Sequence, residues 1–143
     1  MKTSKPRLVI DTNVFITALK SKRGASYKLL FDADRNKFIL NVSPTLIFEY
    51  ESVARRKEQN IVLAHSEIDA IIDMICKWAE HWEIFYLWRP FLKDPKDDFI
   101  LELAIESLTD YIITYNKADF EGIEKFGIQV LTPKEILEIL GEI

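Results

Sequence analysis

The sequence has little of what marks a secreted, disordered or membrane-spanning chain. One cysteine, Cys76, occurs among 143 residues, so no internal disulfide can form and a reducing compartment, the cytoplasm, is expected. Four glycines, five prolines and no low-complexity stretch argue against disorder. The apolar run after the basic N-terminus covers only residues 8–10, too short for a signal peptide, and no segment is long enough to cross a membrane. We therefore expect one compact domain over residues 1–143.

An excess of positive charge is also missing. The formal net charge is −4. Neutralisation of phosphate by basic side chains supplies much of the affinity of nucleic-acid binders. The charge therefore weighs against a stand-alone, high-affinity nucleic-acid binder. It weighs less against an enzyme whose metal ions supply positive charge at the site.

What the sequence does contain is an alternation of short apolar runs with segments of helical periodicity. The runs predict strands at residues 7–10, 38–42, 111–114 and 128–131. The periodic segments predict helices at residues 12–20, 25–34, 44–57, 66–79, 97–108 and 120–125, and a last helix from Thr132-Pro133 to about Gly141. Residues 82–87 form a short strand or an extended link, and residues 89–96 a loop. This alternation predicts an α/β fold with a parallel sheet, in which ligands bind at the carboxyl ends of the strands.

Two acidic residues are expected at that edge of the sheet. Asp11 directly follows the first strand, although capping the next helix explains it equally well when it is taken alone. Glu49 lies in the second turn of the helix after the second strand, between the apolar residues Leu46 and Val53. An ionised carboxylate in an inward stripe is costly unless it is paired or bound to metal. The alternative for Glu49 is the margin of the stripe, with its carboxylate in solvent.

A further acidic cluster surrounds the start of the helix at residues 97–108. Asp94, Asp97 and Asp98 all lie there, where the helix dipole favours negative charge. Asp98 leads an inward stripe made of Leu101, Ile105 and Leu108. We therefore expect Asp98 to point towards the sheet edge, Asp97 to cap the helix and Asp94 to face solvent.

Polar residues also follow the third predicted strand. Thr114, Asn116 and Asp119 can all lie over the same edge. Taken separately, Asn116 is explained by a turn and Asp119 by a helix cap. The coincidence of four carboxylates at one edge favours a shared role for Asp11, Glu49, Asp98 and Asp119.

These oxygen ligands suit a hard divalent cation such as Mg²⁺ or Mn²⁺. Two such ions about 4 Å apart can stabilise both the attacking and the leaving oxygen of a phosphodiester displacement. The histidines, His65 and His81, stand apart in sequence, and Cys76 lies among apolar residues, so none of the three is expected to take part. The carboxylates therefore predict a metal-dependent nuclease.

The same residues resemble those of PIN domains, a family named for the PilT N-terminus. The resemblance covers about residues 8–140 and rests on four short motifs in order. These are Asp11-Thr12-Asn13 after an apolar strand, Glu49 in a helix, residues 94–104 with the third acid at Asp98, and residues 114–120. The resemblance implies a three-layer α/β/α fold with a central parallel sheet of four to five strands.

The resemblance also implies a function. It indicates Mg²⁺- or Mn²⁺-dependent cleavage of single-stranded RNA by the toxin of a toxin–antitoxin pair. An antitoxin protein would then be a partner, and the toxin would form a homodimer. Aromatic residues available for such an interface are Trp78, Trp82 and Trp88.

The resemblance assigns roles to individual residues. Asp11 and Asp98 are expected to bind metal directly, Glu49 to bind it through water or to position the attacking water, and Asp119 to complete a second metal site. Asn13, Thr114 and Asn116 give polar support. Many relatives carry aspartate where this chain has Asn116, and an amide binds a divalent ion less strongly. The basic residues expected to guide the RNA backbone are Lys20, Lys22, Arg23, Arg55, Arg56, Lys93, Lys96 and Lys117.

Two other functions compete with the nuclease. Phosphoryl transfer through an aspartyl phosphate of the haloacid-dehalogenase type needs a second aspartate where Asn13 stands, and a response-regulator receiver needs an acidic pair before its phosphorylated aspartate. Neither pattern is present. The stronger rival is a degenerate PIN-like module that binds RNA or a protein without cutting, which the net acidity and Asn116 favour.

Overall fold

A parallel β-sheet with helices on both faces organises the chain. The structure is a computed structural model that describes residues 5–87 and 89–143. The prediction for Trp88 as an interface residue lies outside the described residues. The strands are β1 (Arg7–Ile10), β2 (Ile39–Val42), β3 (Glu80–His81), β4 (Tyr111–Ile113) and β5 (Gln129–Leu131). The helices are α1 (Thr12–Lys20), α2 (Ala25–Tyr27), α3 (Pro44–Ala54), α4 (His65–Trp78), α5 (Asp98–Glu106) and α6 (Pro133–Ile139).

The strand order is β3-β2-β1-β4-β5, and every neighbouring pair is parallel. In β1, Leu8 aligns with Leu40 of β2 on one side and with Tyr111 of β4 on the other. The chain runs outwards from β1 to β3 and then returns to β4 on the opposite side of β1. The point where the strand order reverses therefore lies between β1 and β4, and this is where ligands bind in open α/β sheets. The three-layer α/β/α fold and the parallel sheet predicted from the sequence are confirmed.

The central strands carry the core. Leu8 and Val9 of β1 and Ile112 and Ile113 of β4 are completely buried. Such continuous apolar runs are expected of parallel strands covered on both faces. They hold the carboxyl ends of β1 and β4 in fixed register, and this register sets the position of whatever follows them.

Local signals in the sequence explain where helices begin. Ser43 Oγ accepts a hydrogen bond from Leu46 N at 3.2 Å, with Pro44 as the first helical residue of α3. Thr132 and Glu135 bond each other's backbone N–H groups at the start of α6. Within residues 5–87 and 89–143, every helix is too short or too polar to span a bilayer.

Several predicted boundaries were wrong, some by a single residue and some because pairing between distant segments sets them. The helix predicted from residue 66 begins at His65, where Glu67 accepts a hydrogen bond from Ala64 N at 3.0 Å. Of the two alternatives predicted for residues 82–87, the structure has the link without regular structure, and the short strand β3 comes just before it. The helix predicted at residues 25–34 is α2 followed by a π-helical turn, Lys28–Asp32. Residues 120–125 lie in two 3-10 turns, Lys117–Phe120 and Ile123–Phe126, instead of a helix.

Candidate active site

Asp11 lies at the centre of the binding edge. Its backbone N–H donates to the Ile113 carbonyl at 2.9 Å, so it is fixed where β1 and β4 end together. One carboxylate oxygen, Oδ1, accepts from Thr12 N at 2.8 Å, and Oδ2 accepts from the Thr114 hydroxyl at 2.8 Å. The side chain is 8% exposed. Asp11 therefore caps α1, which is one of the two interpretations that the sequence allowed. Its carboxylate is also held at the point where the strand order reverses.

Thr114 and Asn13 hold this carboxylate in position. The Thr114 Oγ1 atom accepts from Asn13 Nδ2 at 3.2 Å and from Asn116 N at 3.0 Å while donating to Asp11. Asn13 Oδ1 accepts from Tyr115 N at 3.3 Å. The small network fixes both oxygens of Asp11. Asn116 contributes only its backbone N–H to this network, and the residue is exposed.

Two further carboxylates act on Asp11 through their charge. The pKa of Asp11 is raised, chiefly by burial, and further by the charges of Asp119 and Glu49, against the lowering effect of its hydrogen bonds to Thr114 and Thr12. Glu49 comes from α3, and Asp119 from the 3-10 turn that follows β4. Both are half-buried. Three different elements therefore bring negative charge towards one point.

Asp97 belongs to the same group. Burial raises its pKa, and the charges of Asp11, Asp119, Asp94 and Asp98 add to that effect, so that the pKa reaches about 6. Its side chain makes no capping hydrogen bond to α5. Asp97 precedes α5 at the end of the 3-10 turn Pro95–Asp97, and this turn presents it to Asp11 and Asp119.

The structure places Asp97 and Asp98 differently from the prediction: Asp97 makes no capping hydrogen bond, and Asp98 contacts the segment before α5. Asp98 does point inwards, as predicted, and is completely buried. Its side chain lies under the segment that precedes α5, where Asp98 Oδ1 accepts a hydrogen bond from Leu92 N at 2.9 Å. Its other oxygen, Oδ2, has no hydrogen-bond partner among the described residues. Asp98 therefore supports the segment before α5, whereas Asp97 is the aspartate of this turn on which the charges of Asp11 and Asp119 act.

The carboxylates are neighbours without forming a closed cage. No three Asp, Glu, His or Cys side chains in the described part of the chain lie close enough to hold a metal ion as they stand. Mg²⁺ keeps several waters and uses only one or two carboxylates directly, so an open set of oxygen donors suits it. No hydrogen bond or ion pair within residues 5–87 and 89–143 neutralises Glu49, Asp97 or Asp119. The donor chemistry and the uncompensated charge therefore fit a divalent cation.

A family model described as PIN domain matches residues 7–118, which is most of the chain. The chain belongs to the PIN domain family. No curated protein matches it significantly. PIN domains are generally nucleases and typically use divalent metals. The matched stretch contains Asp11, Glu49, Asp97 and Asp98 and stops one residue before Asp119.

In this PIN domain, one buried residue that the sequence motifs do not include supports the position of Glu49. Tyr50, next to Glu49, is buried and stacks on Phe15 with ring centroids 4.4 Å apart. Its hydroxyl donates to the carbonyl of Ile10, the residue before Asp11. This bond ties α3, which carries Glu49, to the end of β1. The available signal was a tyrosine among the apolar residues of an inward stripe, because a buried hydroxyl needs a partner.

A second contact that the sequence analysis missed holds the segment leading to Asp97. The Arg89 guanidinium donates from Nε and Nη2 to the two carboxylate oxygens of Glu102, each at 2.8 Å. The Glu102 side chain, on α5, is 1% exposed. A buried glutamate in an otherwise apolar helix requires a basic partner, but the sequence does not say which one.

The basic residues predicted to guide RNA fall into two groups, those that form ion pairs within the protein and those that do not. Arg55 pairs with Asp69 and, at 3.9 Å, with Glu51. Lys117 pairs with Glu135 at 2.6 Å. Arg55 and Lys117 are therefore engaged in ion pairs within the protein. Basic residues that are exposed and form no ion pair with a described residue are Lys20, Lys22, Arg23, Arg56, Lys93 and Lys96.

Proposed function

We propose that this PIN domain is a Mg²⁺- or Mn²⁺-dependent endoribonuclease that cleaves single-stranded RNA. The observation that carries the proposal is the convergence of Asp11, Glu49, Asp97 and Asp119 at the β1–β4 edge, where burial and, after it, the charges of neighbouring acids raise the pKa of Asp11 and Asp97. Uncompensated carboxylates cost stability, and functional sites are where such a cost is commonly found. The function therefore explains a feature that packing alone does not.

Each residue has a definite part. Asp11, fixed by Thr12 and Thr114, and Asp97 would hold the cation directly. Asp119 and Glu49 would complete its surroundings through water, and Glu49 would orient the attacking water. A divalent ion bound here would supply positive charge to the phosphate and to the oxygens gained and lost in hydrolysis.

The test compares two neighbouring aspartates. Asp97→Asn should reduce Mn²⁺-dependent cleavage of single-stranded RNA by roughly 100-fold or more, because loss of residues that only orient metal ligands already costs about 10- to 100-fold. Asp98→Asn keeps an oxygen that can accept from Leu92 N, so its activity should fall by less than about tenfold. Asp11→Asn is the positive control for loss of activity. If Asp98→Asn is inactive while Asp97→Asn cuts normally, the assignment of Asp97 fails.

We also propose that the domain acts in the cytoplasm as the toxin of a toxin–antitoxin pair, as a homodimer bound by an antitoxin protein. The support is the resemblance of the acidic motifs to those of that branch. Expression of the wild-type chain in a bacterium should then arrest growth, and Asp11→Asn should not. Sedimentation of the purified chain measures the oligomeric state, and a monomer at micromolar concentration would contradict the dimer.

A degenerate PIN-like module that binds RNA or a protein is the second candidate. The observations that favour it are the net charge of −4, the exposed Asn116 and the lack, in the described residues, of three ligands already in place. Metal titration with a cleavage assay separates the candidates. RNA binding without cleavage in Mg²⁺ or Mn²⁺ would support the module and end the nuclease proposal.

A further inference from the structure

A groove between α1 and α3 adjoins the acidic edge. It has a volume of about 410 Å³, and its lining includes Asn13 and Glu49 from the candidate active site. The other polar side chains that line it include Lys20, Arg56 and Gln59. Both helices start at the binding edge of the sheet and run away from it, so the groove leads from the carboxylates along the protein surface.

Two cations face this groove. Lys20 is the last residue of α1, and Arg56 follows the end of α3. Both residues are exposed, and neither forms an ion pair with any residue that the structure describes. From Thr12 to Lys20 the helix rises by about 12 Å, so the positive charges lie well away from the carboxylates at the edge.

Thr12 adds a further polar group to the wall of the groove. Thr12, which lines the groove, has a hydroxyl oxygen that is shielded from solvent and lacks a hydrogen-bond partner among the described residues. Buried hydroxyls are normally satisfied. The groove thus combines carboxylates at one end, an unpaired hydroxyl nearby, and two free cations farther along.

We propose that this groove binds the phosphates of single-stranded RNA on one side of the cleaved bond, with Lys20 and Arg56 as the phosphate-binding residues. The proposal rests on the proposed nuclease function and names the path of its substrate. Phosphate contacts of this kind position the strand without reading its sequence. A chain with net charge −4 can bind RNA this way, because Lys20 and Arg56 place two unpaired positive charges in the groove itself.

The chain offers a matched control in adjacent arginines. Arg55 and Arg56 carry the same charge, but Arg55 is held by Asp69 and Glu51, whereas Arg56 lines the groove. Removing either one lowers the net charge equally. A general electrostatic effect would weaken RNA binding by the same factor in both variants, and a local phosphate contact would weaken it only in Arg56→Ala.

The experiment measures the dissociation constant of a fluorescein-labelled single-stranded RNA. It uses the full chain carrying Asp97→Asn, which keeps the RNA intact, in Mg²⁺ at several salt concentrations. Lys20→Ala and Arg56→Ala should each weaken binding about three- to tenfold and lower the salt slope by about 0.7, the value for one phosphate contact with a single strand. Arg55→Ala should leave both unchanged, and Arg56→Lys should restore most of the affinity. Circular dichroism checks that each variant is folded.

The results separate this proposal from the proposed function. If the wild-type chain cleaves RNA but Arg55→Ala and Arg56→Ala weaken binding equally, or neither does, the groove proposal is overturned and the nuclease stands. If the wild-type chain cuts no RNA but Arg56→Ala alone weakens binding, the groove stands and the nuclease falls. If the chain binds no single-stranded RNA, both fall.

Discussion

At the scale of single residues, Asp97 is a carboxylate whose ionised form is disfavoured by its surroundings in the folded protein. Its pKa of about 6 in the folded chain lies above the ordinary value of 3.8. A carboxyl group that binds its proton more tightly when folded favours folding only while it is protonated. The stability that it contributes is therefore full below about pH 4 and is lost as the pH rises through about 6.

This leads to a prediction for the metal-free protein. Asp97→Asn cannot lose a proton, so its Tm should exceed that of the wild type by an amount that grows between pH 5 and pH 7. Thermal unfolding in a chelating buffer measures the difference, with Asp32→Asn as the control for an exposed aspartate outside the acidic group. A difference in Tm that is constant with pH would contradict the raised pKa of Asp97.

Tyr50 gives a second prediction at this scale. Tyr50→Phe keeps the stacking on Phe15 but leaves the Ile10 carbonyl without the donor that it has now. Loss of a buried hydrogen bond of this kind should lower the free energy of unfolding by about 1–3 kcal/mol. Urea unfolding checks it, and Tyr86→Phe, at a residue 72% exposed, is the matched control with no expected effect.

The choice between Asp97 and Asp98 marks what residue patterns can and cannot predict. The stripe that Asp98 shares with Leu101 correctly indicated an inward side chain. What covers that side chain is the segment with Leu92, and its path is fixed by contacts between distant residues. A 3-10 turn before α5 presents Asp97 to the site, and Pro95 is the only residue whose type indicates that turn.

At the scale of elements, the segment from β3 to α5 is attached to α5 at two points. Arg89 binds Glu102, and Leu92 N binds Asp98. The two acids are one helical turn apart on α5, so the segment lies along the start of that helix. Because it ends at Asp97, the attachment also fixes where that carboxylate lies.

Glu102→Gln should therefore act on the site without touching substrate. The variant loses the charged partner of Arg89, and hydrogen bonds to charged groups contribute about 1.5–3 kcal/mol. We expect faster cleavage by trypsin after Lys93 and Lys96, since the Arg89-Pro90 bond itself resists trypsin, and a higher metal concentration for half-maximal activity. Glu106→Gln, one turn farther along α5, is the control. Unchanged proteolysis and metal dependence in Glu102→Gln would show that the ion pair does not position the segment.

The elements themselves were predictable to different degrees. The bounds of β1 and α1 agree with the sequence pattern, because a buried apolar run, Asp11 as the cap and a periodic helix all lie next to one another in the chain. The two residues of β3 qualify as a strand only by pairing with Asn41 and Val42 of β2. No local pattern can predict a strand that is defined by a distant partner.

At the scale of the whole molecule, a bound divalent cation should raise the stability of the fold. A ligand that binds only the folded state at 100 times its Kd adds about 2.7 kcal/mol. For a chain of this size the Tm should rise on the order of 5–10 °C in excess Mn²⁺ at pH 7.5. Sodium chloride at the same ionic strength controls for screening, and Asp11→Asn should show a much smaller rise. An equal rise in both proteins would mean that the ion binds elsewhere.

The carboxylates of Asp11, Glu49, Asp97 and Asp119 lie on elements of unequal stability. Asp11 ends the middle strand of the sheet, whereas Asp97 and Asp119 lie on single 3-10 turns. Short turns with few internal hydrogen bonds open at a lower free energy than core strands do. Mild urea should accordingly abolish catalysis while tryptophan fluorescence and far-ultraviolet circular dichroism still report an intact protein, so inactivation and global denaturation would be two separate events.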